Sequence, residues 1–137
     1  MTTFFCPSCW AEIREEQDPC PHCGGHVAER LAQASYTERL IAALDHPEPE
    51  TPLRAATILG MRRDRTAVPH LIRKAESTPD VYLAMTCLEA LARIGGRMAR
   101  EGVRARCQDP RVLVSRRAQE LLAAIGDGKA HDSDEAE

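Results

Sequence analysis

The feature that most constrains the fold is a pattern that recurs at a nearly constant interval along the chain. Its first column consists of three prolines, Pro47, Pro79 and Pro110. They are 32 and 31 residues apart (79 − 47 = 32 and 110 − 79 = 31). Three further columns keep the same spacing: Leu59, Leu91 and Leu122; Leu40, Ile72 and Val103; Tyr36, Val68 and Ala99. Four columns in one register are hard to obtain by chance, so the pattern predicts an array of helical repeats.

The middle copy has the features of a complete helix. Thr78 is a suitable capping residue, Pro79 suits a first helical turn, and Asp80 complements the positive end of the helix dipole. An apolar stripe follows at steps of three, four and three: Val81, Ala84, Leu88 and Leu91. Gly95 then supplies a stop that tolerates left-handed backbone. We therefore expect a helix over residues 79–94.

The same reasoning predicts three helix pairs. First-layer helices are expected near residues 35–44, 66–76 and 97–107, and second-layer helices near 52–62, 79–94 and 110–125. Ser35 and Glu38 have the spacing of a capping box. The segment 46–52 holds three prolines, which excludes helix interior there, so we expect Thr51-Pro52 to start the next helix. The predicted fold class is all-α: a short α-solenoid of about three helix pairs, preceded by a small metal module.

Composition agrees with close-packed helices rather than sheets. The chain is 43% hydrophobic and 28% charged, with only 4% aromatic residues. A net charge of −3 is too small to indicate a partner. We expect no membrane span, because no run of about 18 apolar residues is present. The first residues have neither the basic nor the apolar region of a signal peptide, so none is expected.

The strongest chemical motif is a pair of Cys-x-x-Cys knuckles near the N-terminus. A short loop separates the two knuckles, which contain Cys6 and Cys9, then Cys20 and Cys23. This spacing can place four thiolates tetrahedrally around one ion, so we expect a structural Zn²⁺ site. Iron in the same four thiolates is the alternative, and disulfides are a further one. A thiolate metal site implies a reducing compartment, and we expect the cytoplasm.

Three regions follow from these motifs. Residues 1–27 are predicted to form a four-cysteine zinc ribbon, and residues 28–126 the helical repeats. Residues 127–137 are polar and acidic with nothing to bury, so we expect them to be disordered. So short a ribbon is too small to bury a core, and metal binding would supply most of its folding free energy.

The repeats resemble HEAT-like repeats, in particular the short type of about 31 residues found in phycobilisome lyases and many bacterial scaffold proteins. The resemblance covers residues 35–126 and is carried by four segments: AATILG at 55–60, AVPHLIRKA at 67–75, LEALARIGG at 88–96 and AQELLAAIGDG at 118–128. The family's usual Arg positions hold Pro52, Ala84 and Ser115 instead, although Arg54, Arg116 and Arg117 lie nearby. The first block resembles a short zinc ribbon of the rubredoxin-knuckle kind.

The aromatic residues are unevenly placed, and three of them lie in the ribbon: Phe4, Phe5 and Trp10. So small a block has little interior to hide them. We expect them either to pack on the first helix pair, against residues such as Tyr36 and Leu40, or to form an exposed patch for a partner. Trp10 stands where ribbons often have Gly, which either strains the first knuckle or covers the metal with the indole.

A cluster of arginines near the C-terminus is the second candidate surface. Seven lie between residues 97 and 117: Arg97, Arg100, Arg104, Arg106, Arg111, Arg116 and Arg117. Arg97, Arg100 and Arg104 share one helical face by their spacing. The cluster is either an anion-binding surface, for nucleic acid or an acidic protein, or a solvated face.

The remaining reactive residues give no catalytic constellation. His22 and His26 lie beside the second knuckle and are taken as bystanders, and Cys87 and Cys107 as core residues. The leading hypothesis is therefore a non-enzymatic protein–protein interaction scaffold, or an accessory subunit of a larger complex. The alternatives are nucleic-acid binding by the ribbon and the Arg97–Arg117 face, or a chaperone- or lyase-like helper of a cofactor enzyme, which rests on fold analogy alone.

Overall fold

The computed structural model of the chain describes residues 4–6, 9–14, 17–29 and 35–125. The strands and helices whose two ends are both described are, in chain order, β1 Phe4–Phe5, β2 Glu12–Ile13, α1 Tyr36–Ala43, α2 Glu50–Arg62, α3 Val68–Ser77, α4 Val81–Ile94, α5 Arg97–Ala105 and α6 Val112–Ala124. Single 3₁₀ turns occupy Arg65–Ala67 and Arg106–Gln108. The predicted all-α class, a short solenoid of three helix pairs, is confirmed. The acidic segment 127–137 lies outside the described residues.

The helices form two layers around one core. α1, α3 and α5 make the first layer and α2, α4 and α6 the second, with α4 in the centre against α2, α3, α5 and α6. The largest fully buried side chains include Leu59, Leu91 and Val103 of the predicted columns, together with Leu71 and Leu88. The predicted burial of Leu91 between neighbouring repeats is confirmed, since only 1% of it is exposed. Tyr36, at the head of the first described repeat, is exposed.

The predicted signals at two helix ends are confirmed. At α1, the Glu38 backbone N–H donates to Ser35 Oγ (3.0 Å) and the Ser35 N–H donates to Glu38 Oε1 (2.8 Å), which completes the capping box. At the end of α4, Gly95 has a φ of 78° and donates its N–H to the Leu91 carbonyl. A left-handed backbone of this kind favours glycine, so the stop is local in origin.

The predicted starts of the second-layer helices are slightly wrong. Asp80, rather than Thr78, caps α4, because its carboxylate accepts from the N–H groups of Tyr82 and Leu83 at 3.0 and 3.3 Å. Pro79 therefore precedes the helix, as Pro110 precedes α6. α2 begins at Glu50, which places Pro52 within its first turn rather than at its start. Proline is tolerated there because first-turn N–H groups have no partner within the helix.

One type of side-chain hydrogen bond recurs in all three turns between the layers. The residue before each column proline accepts from the backbone N–H two positions later: His46 Nδ1 from Glu48 (3.0 Å), Thr78 Oγ1 from Asp80 (3.1 Å) and Asp109 Oδ1 from Arg111 (2.8 Å). Such local bonds replace a backbone turn. They make His46, Thr78 and Asp109 equivalent positions of the three repeats.

Asp109 extends this turn into a link between repeats. Its side chain, only 1% exposed, pairs with Arg106 and Arg111 at 2.8 Å. Arg111 also donates to the Thr78 and Ala75 carbonyls of the preceding repeat, at 2.6 and 2.8 Å. Hydrogen bonds from Arg111, supported by Arg106, hold the pKa of Asp109 well below its usual range. The third repeat is thereby fastened to the end of α3.

Two glycines inside helices allow neighbouring helices to approach closely. A Cβ on Gly60 of α2 would lie 2.8 Å from the Cα of Ala90 in α4, and one on Gly102 of α5 would lie 2.6 Å from Ile72 of α3. The contact at Gly60 is to backbone, which cannot move aside cheaply. Helix pairs in both layers therefore depend on a missing side chain. Among the described residues, no helix has the length and apolar character needed to cross a membrane.

Candidate metal centre

The first knuckle is built around a two-stranded antiparallel hairpin. β1 pairs with β2 with Phe4 opposite Ile13 and Phe5 opposite Glu12. The Cys6 N–H donates to the Ala11 carbonyl (3.0 Å), and the Trp10 N–H donates back to the Cys6 carbonyl (2.8 Å). These bonds close a tight loop that brings Cys6 and Cys9 to the same side.

The second knuckle repeats the same backbone pattern without a hairpin. The Cys20 N–H donates to the Gly25 carbonyl (2.8 Å), and the Gly24 N–H donates to the Cys20 carbonyl (2.9 Å). Gly24 has a φ of 79°, and Trp10 at the equivalent position has a φ of 63°. The predicted strain at Trp10 is therefore present, because left-handed backbone costs a non-glycine residue about 1–2 kcal/mol.

The two knuckles bring four sulfurs together. The Sγ atoms of Cys6, Cys9, Cys20 and Cys23 all lie within 4.8 Å of one another. Two of the distances are 3.7 Å (Cys6 to Cys23) and 3.8 Å (Cys9 to Cys20). A regular tetrahedron with metal–sulfur bonds of about 2.3 Å has edges of about 3.8 Å. The cluster thus fits one thiolate-bound ion, and its four cysteines are thiols rather than disulfides.

The four sulfurs interact with one another and with nearby backbone N–H groups. The Ala11 backbone N–H favours the Cys9 thiolate, but desolvation and hydrogen bonds with the three other sulfurs outweigh it and raise the pKa of Cys9 to about 11. Backbone N–H groups of His22 and Gly25 point at the Cys20 and Cys23 sulfurs, each at 3.4 Å. A thiol must lose its proton to bind a metal ion, and N–H donors of this kind stabilise the thiolate that remains.

The metal cluster contains only cysteines. Among the described residues, no other group of three or more His, Cys, Asp or Glu side chains has ligand geometry, and neither His22 nor His26 belongs to the cluster. Both are exposed. Cys87 is fully buried, and burial raises the pKa of its thiol to about 12. Cys107 is half-buried and donates to the Val103 carbonyl, so both residues belong to the packing of the array.

The ribbon contacts the array through aromatic rings, but the residue contacted differs from the expected ones. The His46 ring lies against Phe5 (centroids 4.4 Å apart, edge-on) and against Trp10 (5.0 Å). Tyr36, expected in this role, is instead 48% exposed with the Arg62 guanidinium 4.9 Å from its ring. The side chain of Phe4 lies outside the described part of the structure. Local sequence could not identify His46, since the contact joins residues far apart in the chain.

The predicted arginine cluster divides between different environments. Arg106 and Arg111 form ion pairs with Asp109 inside the array. Arg117 of α6 forms ion pairs with Glu89 of α4 (2.9 Å) and with Glu120 (3.0 Å). The three residues of the predicted helical face, Arg97, Arg100 and Arg104, all lie on α5. Arg97 and Arg104 are exposed and Arg100 is half-buried.

Comparison with known proteins identifies the array. The sequence profile of a family described as HEAT repeats matches residues 37–130. Neither the curated proteins nor the solved structures give a match. The matched segment spans more than half of the chain and coincides with the two layers of helices. The chain therefore belongs to the HEAT repeat family.

Proposed function

We propose that this chain is a non-enzymatic protein–protein interaction scaffold, or an accessory subunit, whose ribbon is held by a structural Zn²⁺. The proposed division is a ribbon over residues 1–27 and repeats over 28–126. HEAT repeats stack into a core with one long exposed face, which is a surface for partners rather than for chemistry. Thiols arranged as ligands favour a reducing compartment, the cytoplasm.

The observation that carries the scaffold is a row of exposed apolar side chains on the second layer. Tyr82 at the start of α4 is 69% exposed, and Leu113, one repeat later at the start of α6, is 48% exposed. Val112 beside it is 65% exposed. Tyr82 and Leu113 occupy equivalent positions of the second and third repeats and are exposed, which suits anchors that a repeat protein presents to a partner.

The same face continues into a groove between α4 and α6. The groove has a volume of about 260 Å³ and is lined by Glu89, Ala92, Arg93, Arg117, Leu121, Ala124 and Ile125. Apolar anchors beside a groove with charged walls suit a peptide or helix of a protein partner. We therefore place the partner surface on the second layer.

Affinity capture from the native lysate tests this placement. A chain with Tyr82→Ser and Leu113→Ser should fold normally, because both side chains are exposed, and should lose its partner. Met61→Ser is the matched control, since Met61 is 64% exposed but lies at the far end of α2. Capture of the same partner by the double variant and the wild type would contradict the proposal.

The identity of the ion is tested separately. Four cysteine ligands leave no open coordination position, which favours a structural role over Lewis-acid catalysis. Protein made without added zinc should contain about one equivalent of zinc per chain. Iron with a visible charge-transfer band would overturn the zinc assignment.

Nucleic-acid binding is the second candidate, and the observation in its favour is the α5 face with Arg97, Arg100 and Arg104. Affinity for a duplex or a single strand should then fall steeply with salt, and Arg104→Ala should reduce that slope. Salt-independent binding would exclude this candidate. A helper role like that of phycobilisome lyases has the short repeat period of the array as its support.

A further inference from the structure

The two knuckles have the same backbone but differ at the left-handed position. In the second knuckle Gly24 occupies it, and a Cβ placed there would meet no atom within 4 Å. In the first knuckle Trp10 occupies it with a φ of 63°. A glycine would satisfy the backbone at no conformational cost. An interaction of the Trp10 side chain must therefore offset the backbone strain.

That interaction is the contact of the Trp10 ring with the array. From the left-handed position the Trp10 indole reaches His46, with ring centroids 5.0 Å apart and planes at 62°. The His46 ring is held in place by its own turn, because Nδ1 accepts the Glu48 backbone N–H at 3.0 Å. Phe5, next to the ligand Cys6, contacts the same imidazole at 4.4 Å. Both ring contacts thus originate beside metal ligands.

His46 also has a defined place in the repeat. Its equivalents in the second and third repeats are Thr78 and Asp109. The Thr78 carbonyl accepts a hydrogen bond from Arg111 of the following repeat. In the first repeat, the residue at this position, His46, contacts Phe5 and Trp10 of the ribbon. The ribbon's buried residues form an apolar cluster of their own, separate from the core of the array. The rings at His46 therefore join two separately packed units.

We propose that Trp10 and His46 couple metal binding in the ribbon to the stability of the first repeat of the array. The inference rests on the proposed metal site. Metal binding holds Cys6 and Cys9 and so keeps closed the knuckle whose Trp10 N–H bonds the Cys6 carbonyl. Without the metal, Trp10 relaxes to negative φ and its ring leaves His46. By thermodynamic reciprocity, the contact with His46 strengthens metal binding by the same factor by which metal strengthens the contact.

Because of this coupling, the stability of the first repeat depends on whether metal is bound. With metal bound, the ribbon covers the turn between α1 and α2. With metal lost, His46 and the ring of Trp10 become exposed together, although the second-layer face is unchanged. His46 is thus a positioning residue for the metal site, although it lies well beyond the last ligand in the sequence.

Trp10 is the only tryptophan of the chain, so its fluorescence reports the contact directly. The full-length protein is titrated with Co²⁺, whose visible absorption reports thiolate ligation, and in parallel with Zn²⁺, which does not quench tryptophan, to record tryptophan emission and helix melting. In the wild type, metal should shift the emission and raise the melting temperature of the helices. In His46→Ala, the cobalt spectrum should persist, the emission shift should disappear, and affinity for Co²⁺ should fall by about fivefold or more.

Trp10→Gly separates strain from contact. It should bind Co²⁺ with the wild-type spectrum, because glycine suits the left-handed position. Metal should raise the melting temperature of its helices less than in the wild type, because only the Phe5 contact with His46 remains. His70→Ala, in α3, is the matched histidine control and should behave as wild type. Wild-type Co²⁺ affinity and wild-type metal-induced stabilisation in His46→Ala would overturn the coupling alone. Failure of the wild type to bind Co²⁺ would overturn the metal site together with it.

Discussion

The ribbon and the array differ in what holds them together. Among the described residues, the array buries a cluster of 20 apolar residues, whereas the ribbon's cluster consists of Cys6, Ile13 and Cys20 with Val27 packed against it. Two of those three buried residues are proposed metal ligands. Apolar burial is worth roughly 25 cal/mol per Å², so it can stabilise the helices but contributes little to the ribbon. Two modules in one chain thus use different sources of stability.

The largest expected effect comes from removing a ligand. Cys20→Ser should unfold the ribbon, because metal binding in small zinc modules supplies about 10–16 kcal/mol of folding free energy. Helices α1 to α6 should remain, since their buried cluster contains none of the four cysteines. Limited proteolysis should then cut within the ribbon and leave the array intact. Cys107→Ser, outside the cysteine cluster, is the control, and simultaneous loss of ribbon and helices would show that burial alone does not hold the array.

The next largest effect tests the array's dependence on burial. Leu91→Ala should reduce the free energy of unfolding by about 2–5 kcal/mol, because the side chain is 1% exposed and its loss leaves a cavity. Met61→Ala, at a 64% exposed position, should change it by no more than about 0.5 kcal/mol. Denaturant unfolding followed by helical circular dichroism measures both. A loss for Leu91→Ala as small as that of Met61→Ala would contradict the packing of α4.

The buried polar link of the third repeat should have an intermediate effect. Asp109→Asn removes the charge that partners Arg106 and Arg111, and should cost about 1–3 kcal/mol. Thermal unfolding in parallel with the wild type measures this loss. Asp45→Asn is the matched control, because that carboxylate is 64% exposed in its pair with Lys74. Equal losses in the two variants would mean that burial does not matter for this link.

The same carboxylate predicts a pH dependence. Its arginine partners depress the pKa of Asp109 in the folded state below the unfolded value of about 3.9. Its contribution is therefore fully present above about pH 4 and is lost as the pH falls below that value. The stability difference between wild type and Asp109→Asn should narrow as the pH falls from about 4 towards about 2. A difference that stays constant over this range would contradict the assigned pKa shift.

The smallest effect is expected at the first helix of the array. Ser35→Ala removes half of the capping box of α1 and should cost about 1 kcal/mol. Amide exchange at the start of α1 should accelerate, whereas that of α4 should not change. Acceleration across all helices would indicate that α1 is not a separate end of the stack.

Periodic features of the array could be predicted from the sequence because each repeat buries side chains at the same positions. Leu59, Leu91 and Val103 recur at buried positions of the repeat, so their spacing alone revealed the helix pairs. The ends marked by Ser35 and Gly95 were predictable because capping is a local interaction. The clustering of the four cysteines was predictable for a similar reason, since the spacing within each Cys-x-x-Cys is set by one tight turn.

Non-local features could not be predicted in this way. The start of α4 was misplaced because Thr-Pro-Asp offers two capping side chains, and only the observed bonds assign Asp80 to the helix and Thr78 to the turn. The close approach at Gly60 depends on Ala90 in another helix. The partner of Trp10 depends on how the ribbon lies on the array. A comparison of the residues before each column proline is the one sequence signal that points to His46, because it differs there from Thr78 and Asp109.

Amide hydrogen exchange before and after chelation tests most directly that metal holds the ribbon and burial holds the array. The N–H groups of Trp10 and Gly24 close the two knuckles, whereas those of Leu88 and Leu91 lie in the fully buried centre of α4. Chelation should abolish protection at Trp10 and Gly24, whereas Leu88 and Leu91 should stay strongly protected. Protection at Trp10 and Gly24 that persists after the metal is removed would contradict the account.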